Sequence, residues 1–443
     1  MSHESIYQKP VDFKMIMKIT LPTMLMVIIQ SMYSMVDGVF IANIIGTDAL
    51  SALTLIAPYF NFFTAIAAMF AAGGSAVVMR KMGEGKGEEA KQDFTMLLIT
   101  VFSIGVIITV VGLIFLPQLV SIFEASTTVR RYCQEYLFAY LFFVIAHLLF
   151  TNLQTFAIGC GGSRLAMFSS LFGGIFNVVF DFIFIKVLDL GMLGASVASG
   201  LGMLIPCIIM GVYFCNKTRL LHFVRPRFRK NVLFKTTTNG LSEFSSNLVS
   251  GIVILLFNQK MLQIAGADGV AASTIIFYVF SFMGALYMGY MFGISPMISF
   301  FYGEDNKEKL KKLRKVSLIF VCLTAVVTTG MAVLGTNVLV GVFAERGTTP
   351  YELALYGNKL FSLSLLFVGF NTFASSLFTA LSNGVISAII SFGRTFVFLV
   401  GSILILPSVW GIDGIWLSVP VAEALSLILS VFFLVKYKKR YGY

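Results

Sequence analysis

The stretch Phe176–Ile185 reads FNVVFDFIFI. Asn177 and Asp181 stand four residues apart in it, so on a helix they share one face, one turn above the other. Val, Ile and Phe surround them, and the apolar run extends upstream through Leu165, Phe168, Leu171 and Phe172. A carboxylate at the centre of a bilayer costs roughly 2.5–3.5 kcal/mol on insertion scales. Residues carried at that cost face a cavity or a partner and mark ion or substrate paths. A second carboxylate, Asp37, ends a polar stripe of Thr23, Gln30, Ser34 and Asp37, all on one helical face. Asp37 lies toward the outer end of its helix, and Asp181 sits just before Lys186, whose amine can snorkel to the outer interface. The two carboxylates are therefore expected at similar depth, where they can share a proton or hold a monovalent cation. Ser199, with Gln154 or Asn152, would extend this cluster of oxygens. The alternative for Ser199 is a bond to its own backbone.

Other residues that carry chemistry are more scattered. Glu243, Asn247 and Ser250 repeat the stripe nearer the opposite membrane face, lining an inner vestibule or simply solvated there. Glu423 has no evident partner, and His147, the one histidine inside an apolar run, is expected to serve helix packing. The chain holds 21 Met and 45 Phe, and Met-rich surfaces repack around varied flat molecules. Tyr33, Tyr278, Phe282 and Met283 are candidates for such a cavity, together with Met24, Phe60, Tyr140 and Tyr287. Three dispersed histidines (His3, His147, His222) offer neither a catalytic base beside a nucleophile nor a metal cluster, so an enzyme and a bound transition metal are not expected. Sodium at Asp37, Asn177 and Asp181 is the only metal site the pattern allows. No ring of repeated filter residues suggests a channel.

The elements that must position these residues are long and apolar. Of 443 residues, 58% are hydrophobic and 12% charged, half the charge of a soluble protein. Runs of about twenty apolar residues recur from end to end, and each is long enough to cross a bilayer as a helix. Twelve spans are predicted, at 14–43, 50–79, 94–116, 133–157, 164–186, 192–214, 238–263, 270–301, 316–335, 354–381, 385–406 and 411–435. The start reads as a first span without a cleaved leader. The five cysteines lack metal spacing and read as small apolar residues. Placing both termini in the cytoplasm leaves only Arg130, Arg131, Lys186, Lys260, Arg346 and Lys359 outside, as the positive-inside bias requires. The net charge of +11 is thus an address on the membrane and not a nucleic-acid surface. The basic segment 216–235 is expected to lie along the anionic inner leaflet. It divides the chain into halves at 1–215 and 236–443.

Those halves repeat. Shifted by 220 residues, Ile44, Gly46, Asp48, Ala52, Thr54 and Ile56 return as Ile264, Gly266, Asp268, Ala272, Thr274 and Ile276. Gly73, Ser75, Gly83, Glu84, Glu88 and Lys91 return as Gly293, Ser295, Gly303, Glu304, Glu308 and Lys311. Six spans per half keep both in one orientation, related by an axis along the membrane normal, an arrangement in which transporters bind substrate between the halves.

Pro22 opening the first span, Asp37, the Asn177–Asp181 pair and the outer turns IIGTDAL and IAGADGV, set in two six-span halves, resemble the MATE family of multidrug exporters, most of all its bacterial DinF-like and MepA-like branch. The resemblance covers nearly the whole chain. It implies an all-α polytopic membrane protein of twelve transmembrane helices in two pseudo-two-fold-related six-helix lobes. It further implies export of small cationic or aromatic drugs from the bacterial cytoplasm, exchanged for protons or sodium, with no organic cofactor, by a chain expected to act as a monomer. By the same resemblance, Asp37, Asn177, Asp181 and Ser199 match the cation site of the first lobe, and Glu243 matches an acid in the seventh span of relatives. Some members carry an acid in the tenth span where this chain has Asn371, which moves the expected coupling site to the first lobe. The rival within the superfamily is a lipid-linked oligosaccharide flippase, which would need cationic groups in its cavity. The spans here offer acids and amides and hardly any Lys or Arg.

Overall fold

In a bilayer each backbone N–H and C=O must be satisfied within its own segment, so apolar runs of this length fold as helices. The computed structural model describes residues 6–8, 10–123 and 125–443, with the side chains of Ile6, Ser34, Met35 and Val39 left aside. The first half supplies α1 (Phe13–Ile44), α2 (Thr47–Gly83) and α3 (Gly87–Ile114). Next comes α4, in two pieces, Thr127–Leu141 and Val144–Gly159, bent by 55°. It is followed by α5 (Ser163–Val187) and α6 (Gly191–Cys215). The second half begins with one continuous helical stretch, Lys230–Gly303, broken at Gly266 into α7 and α8. Then come α9 (Lys307–Leu334) and α10 (Thr349–Ala380). Gly384–Tyr441 is broken at Gly411 into α11 and α12. Gly266 and Gly411 have φ of +65° and +57°, a backbone that glycine adopts without steric cost. Each reverses the chain with a single residue.

The twelve helices coincide with the twelve spans read from the sequence, and most run several residues beyond them. Helix α9 starts at Lys307, well before the apolar part of its span, capped by Asn306, whose side chain accepts from Lys309 N at 3.1 Å. One expectation needs correction. The basic segment 216–235 is not all linker, because α7 begins at Lys230. Its irregular part is also anchored to protein. Val224 N donates to Thr95 Oγ1 at 3.2 Å. Arg229 reaches the fully buried Asp93 at 2.9 Å, where Lys81 also binds at 2.5 Å.

The two lobes meet where α1 and α2 face α7 and α8, at the end of the molecule that carries the basic loops. Glycines bring the backbones together there. A Cβ on Gly83 would stand 2.0 Å from the Phe300 carbonyl, and one on Gly303 would stand 2.0 Å from the Arg80 carbonyl. Residues 80 and 83 are carried onto 300 and 303 by the 220-residue shift, so this contact is isologous, each lobe offering the same patch. Gly73 against Thr236, Gly240 against Met69, and Gly289 against Thr23 and Met24 continue the seam. Thr23 Oγ1 donates to Gly289 O at 2.6 Å. Tyr7 stacks on Phe300 at 4.1 Å and donates to the Gly159 carbonyl.

Candidate functional site

The first lobe encloses a cavity of about 340 Å³. Small residues on α5 make it possible. A Cβ on Gly173 would lie 2.5 Å from the Gly202 carbonyl of α6, and one on Gly174 would lie 3.1 Å from the Tyr33 ring of α1. The close approach sets Asn177 beside Ser199, whose hydroxyl receives the Asn177 amide at 3.5 Å and the Tyr136 hydroxyl at 3.3 Å. The Asp37 carboxyl lies near enough to Asp181, Asn177 and Ser199 to interact with all three. Directly after Asp181 the helix widens into a π-turn over Phe182–Val187, a feature that collects at functional sites.

Asp181 is fully buried and Asn177 nearly so. Four oxygens converge here without a donor: Asp37 Oδ1, Asn177 Oδ1 and both carboxyl oxygens of Asp181. Two carboxyl groups in contact in an apolar wall cannot both stay charged and unscreened. The arrangement therefore calls for a proton between them or a small cation among these oxygens. An all-oxygen donor set suits a hard ion such as sodium. Among the described residues there is no group of three or more His, Cys, Asp or Glu that would hold a metal ion.

An aromatic wall completes the cavity. Phe60 sets its edge on Tyr140 at 4.6 Å and on Tyr136 at 5.7 Å. His147 shares hydrogen bonds with the Tyr140 hydroxyl at 3.0 Å and with Thr64 Oγ1 at 3.4 Å. It is satisfied, as a packing histidine should be, and it also lines the cavity. Two turns below Asp37, Gln30 donates to Gln154 Oε1 at 3.4 Å and to Ser170 Oγ at 3.2 Å. Tyr33 lines the cavity, whereas the side chain of Ser34 lies outside the described residues.

The second-lobe candidates do not gather into this cavity. Tyr278 stacks on Phe343 at 5.5 Å, Phe282 is exposed, and Met283 is buried in the core with Tyr287 and Met24. Glu243 is half-buried and within electrostatic range of Arg394. Its backbone carbonyl accepts the Asn247 side chain at 2.8 Å. Asn371 is fully buried and committed: its amide donates to Glu423 Oε2 at 2.8 Å, and its carbonyl accepts from Ser430 at 2.8 Å. Arg394, read from the sequence as part of the inner segments, lies inside α11, where it donates to Glu423 Oε1 at 2.7 Å. Glu423 thus has a partner after all. Sequence reading passed over Tyr136, Thr64 and Arg394. For Arg394, the signal available was a lone cation inside an apolar run.

The profile of the MatE family matches residues 22–183 and, a second time, 241–404. The chain belongs to the MATE family of membrane transporters. It is 24% identical over 432 residues to the multidrug export protein MepA of Staphylococcus haemolyticus, covering 97% of this chain and 94% of that protein. It is 25% identical over 461 residues to MepA of Staphylococcus saprophyticus, covering 98% and 97%. Among solved structures it superposes on a MATE transporter in complex with MaL6 with a TM-score of 0.94 at 21% identity, covering 99% of each chain. An outward-facing multidrug resistance MATE transporter superposes at 0.93 and 21% identity, covering 100% and 99%. The likeness establishes the fold as the two-lobed, twelve-helix architecture of these transporters.

Proposed function

We propose that this protein exports small cationic and aromatic compounds by alternating access, exchanging them for cations that enter through the first-lobe site. The carrying observation is the set of donorless oxygens on Asp37 and Asn177, which line the cavity, and on Asp181, buried beside them. Ser199 completes the coupling site. Gln30, Tyr33 and Gln154 approach drug from the first lobe, and Glu243 and Asn247 from the second. The basic loops and the glycine-sealed end face the cytoplasm, following the positive-inside bias, so the molecule is closed inward. The moving bodies are residues 1–215 and the second half from the start of α7 at Lys230. A drug-export reading is favoured over lipid-linked oligosaccharide transfer because no Lys or Arg is among the described residues that line the first-lobe cavity.

Protons are favoured over sodium, since the facing carboxyls are arranged to hold one proton between them. One proton gains about 2.3 kcal/mol per 100 mV and about 1.4 kcal/mol per pH unit. A hundredfold gradient of a neutral drug needs roughly 2.7 kcal/mol. Exporting a monocation cancels the voltage gain of one proton and calls for two. The test is drug-driven proton release from purified protein without sodium. Release between pH 6 and 8 is expected; its absence, with drug release dependent on sodium, would assign sodium instead.

A further inference from the structure

A second and larger cleft, about 760 Å³, opens at the basic end. The end of α2 contributes Arg80 and Lys81, the α2–α3 turn Lys86, and the start of α7 Arg229, Lys230 and Lys235; among the described residues Glu84 is the only acid on its wall. Four of the cations are matched by acids. Arg80 and Lys86 bind Glu84 at 3.0 and 2.8 Å, and Lys81 and Arg229 bind Asp93. Lys230 and Lys235 have no acidic partner among the described residues, and both are exposed. The opposite wall is the α10–α11 turn. There Ser382 takes a positive φ of +58°, and its Oγ is buried without a hydrogen-bond partner. Phe228 and Phe234, neighbours of the unmatched lysines in the chain, lie outside the cleft lining and are 67% and 69% exposed.

Excess positive charge, an unused hydroxyl and bare aromatic rings suit a ligand with an anionic head and an apolar body. We propose that this cleft holds the phosphate-bearing head group of an inner-leaflet anionic lipid, with its acyl chains against Phe228 and Phe234. The negative inner leaflet supplies such lipids, and clefts of this kind between transmembrane helices are where acidic head groups bind. The cleft draws walls from both lobes beside the glycine seam, so a seated lipid favours the inward-closed form. A free phosphate would share the chemistry of the head group but leave the exposed rings unused. The proposal rests on the orientation given above. Its test, lipid retention by purified protein, reads neither orientation nor transport, so either idea can fail alone.

Protein reconstituted with phosphatidylcholine and phosphatidylglycerol is extracted, and the retained lipid is counted by native mass spectrometry. The wild type should keep phosphatidylglycerol selectively. The double variant Lys230→Gln/Lys235→Gln should lose roughly tenfold or more of that retention, as two removed lysines near a surface require. Lys86→Gln, on the other lobe, should weaken it as well. Lys311→Gln/Lys312→Gln, an equal loss of exposed charge outside the cleft, should not. Equal loss in that control would reduce the effect to bulk charge and overturn the site. An effect confined to the α7 lysines would overturn the bridging of the lobes. Displacement of the lipid by inorganic phosphate alone would replace a lipid site with one for a soluble anion.

Discussion

At the scale of single residues, two buried clusters of acid and amide groups differ in their surroundings. Both carboxyl oxygens of Asp181 and Oδ1 of Asp37 are buried without a donor, whereas Glu423 is saturated by Arg394 and Asn371. Asp37→Asn and Asp181→Asn should each reduce concentrative dye export to passive leak while the protein still inserts and folds, because under the proposed coupling each removes a charge whose neutralisation drives the cycle. Dye accumulation in vesicles reads this, and export at the wild-type rate in either variant would refute the site. Asn371→Ala should keep coupling and lose about 1–3 kcal/mol of stability, the cost of stranding buried polar partners. Arg394→Gln should lose more, about 3–5 kcal/mol, by leaving Glu423 buried and unpaired. Arg394→Gln/Glu423→Gln should recover part of it. Thermal unfolding in detergent separates these cases, and loss of coupling in Asn371→Ala with intact drug binding would move the site to the second lobe. Glu243→Gln should weaken cationic substrates more than neutral ones in competition binding. Asp37, Asn177 and Asp181 were legible in the sequence because a charge or amide among Phe, Ile and Val has few other uses. Tyr136 and Thr64 were not, because an aromatic or a threonine in a span is ordinary, and only helix rotation decides which one faces the cavity. Glu423 stayed unexplained for a related reason. Its partner sits 29 positions away on a neighbouring helix, and nothing local announces it.

At the scale of helices, the glycine seam is the element most exposed to mutation. A methyl group on Gly83 or Gly303 meets a carbonyl at 2.0 Å, which backbone on both sides must yield to relieve. Overpacking of this kind costs typically about 1–3 kcal/mol, and here it falls on the form in which the basic end is closed. Gly83→Ala and Gly303→Ala should therefore raise the inward-open population, seen as faster hydrogen exchange around residues 69–83 and 300–303. Unchanged exchange would show that the seam is no determinant of the resting state. The helices themselves were readable from apolar run length alone. The π-turns after Asp181 and over Gly393–Val400 were not, since apolar periodicity cannot separate a helix that widens from one that continues.

At the scale of the whole molecule, the 220-residue repeat returns as structure. Gly46 and Gly266 take positive φ, and so do Gly191 and Gly411, each pair at the same shift. The repeat is nonetheless one of scaffold and not of chemistry. Asp37 is echoed by Phe257, a fully buried core residue. Duplication thus supplied two equal frames, and the reading of one coupling site in one lobe follows from where the polar residues fell. The even number of spans per half implies one orientation for both halves. The closure at the basic end could not be anticipated, because it depends on glycine contacts between segments far apart in the chain, such as Gly73 with Thr236 and Gly83 with Phe300.

The reversals at Gly266 and Gly411 also govern how the protein can be handled. Where α7 meets α8 and α11 meets α12 there is no loop, so nothing protrudes for an antibody or a protease to seize. An epitope tag inserted at either glycine would have to unwind two helices to fit. The exposed stretch 345–348 between α9 and α10 gives the same tag room outside the helices. Surface staining of intact cells should therefore detect a tag at 345–348 with export preserved, and a tag at 266 should yield little inserted protein.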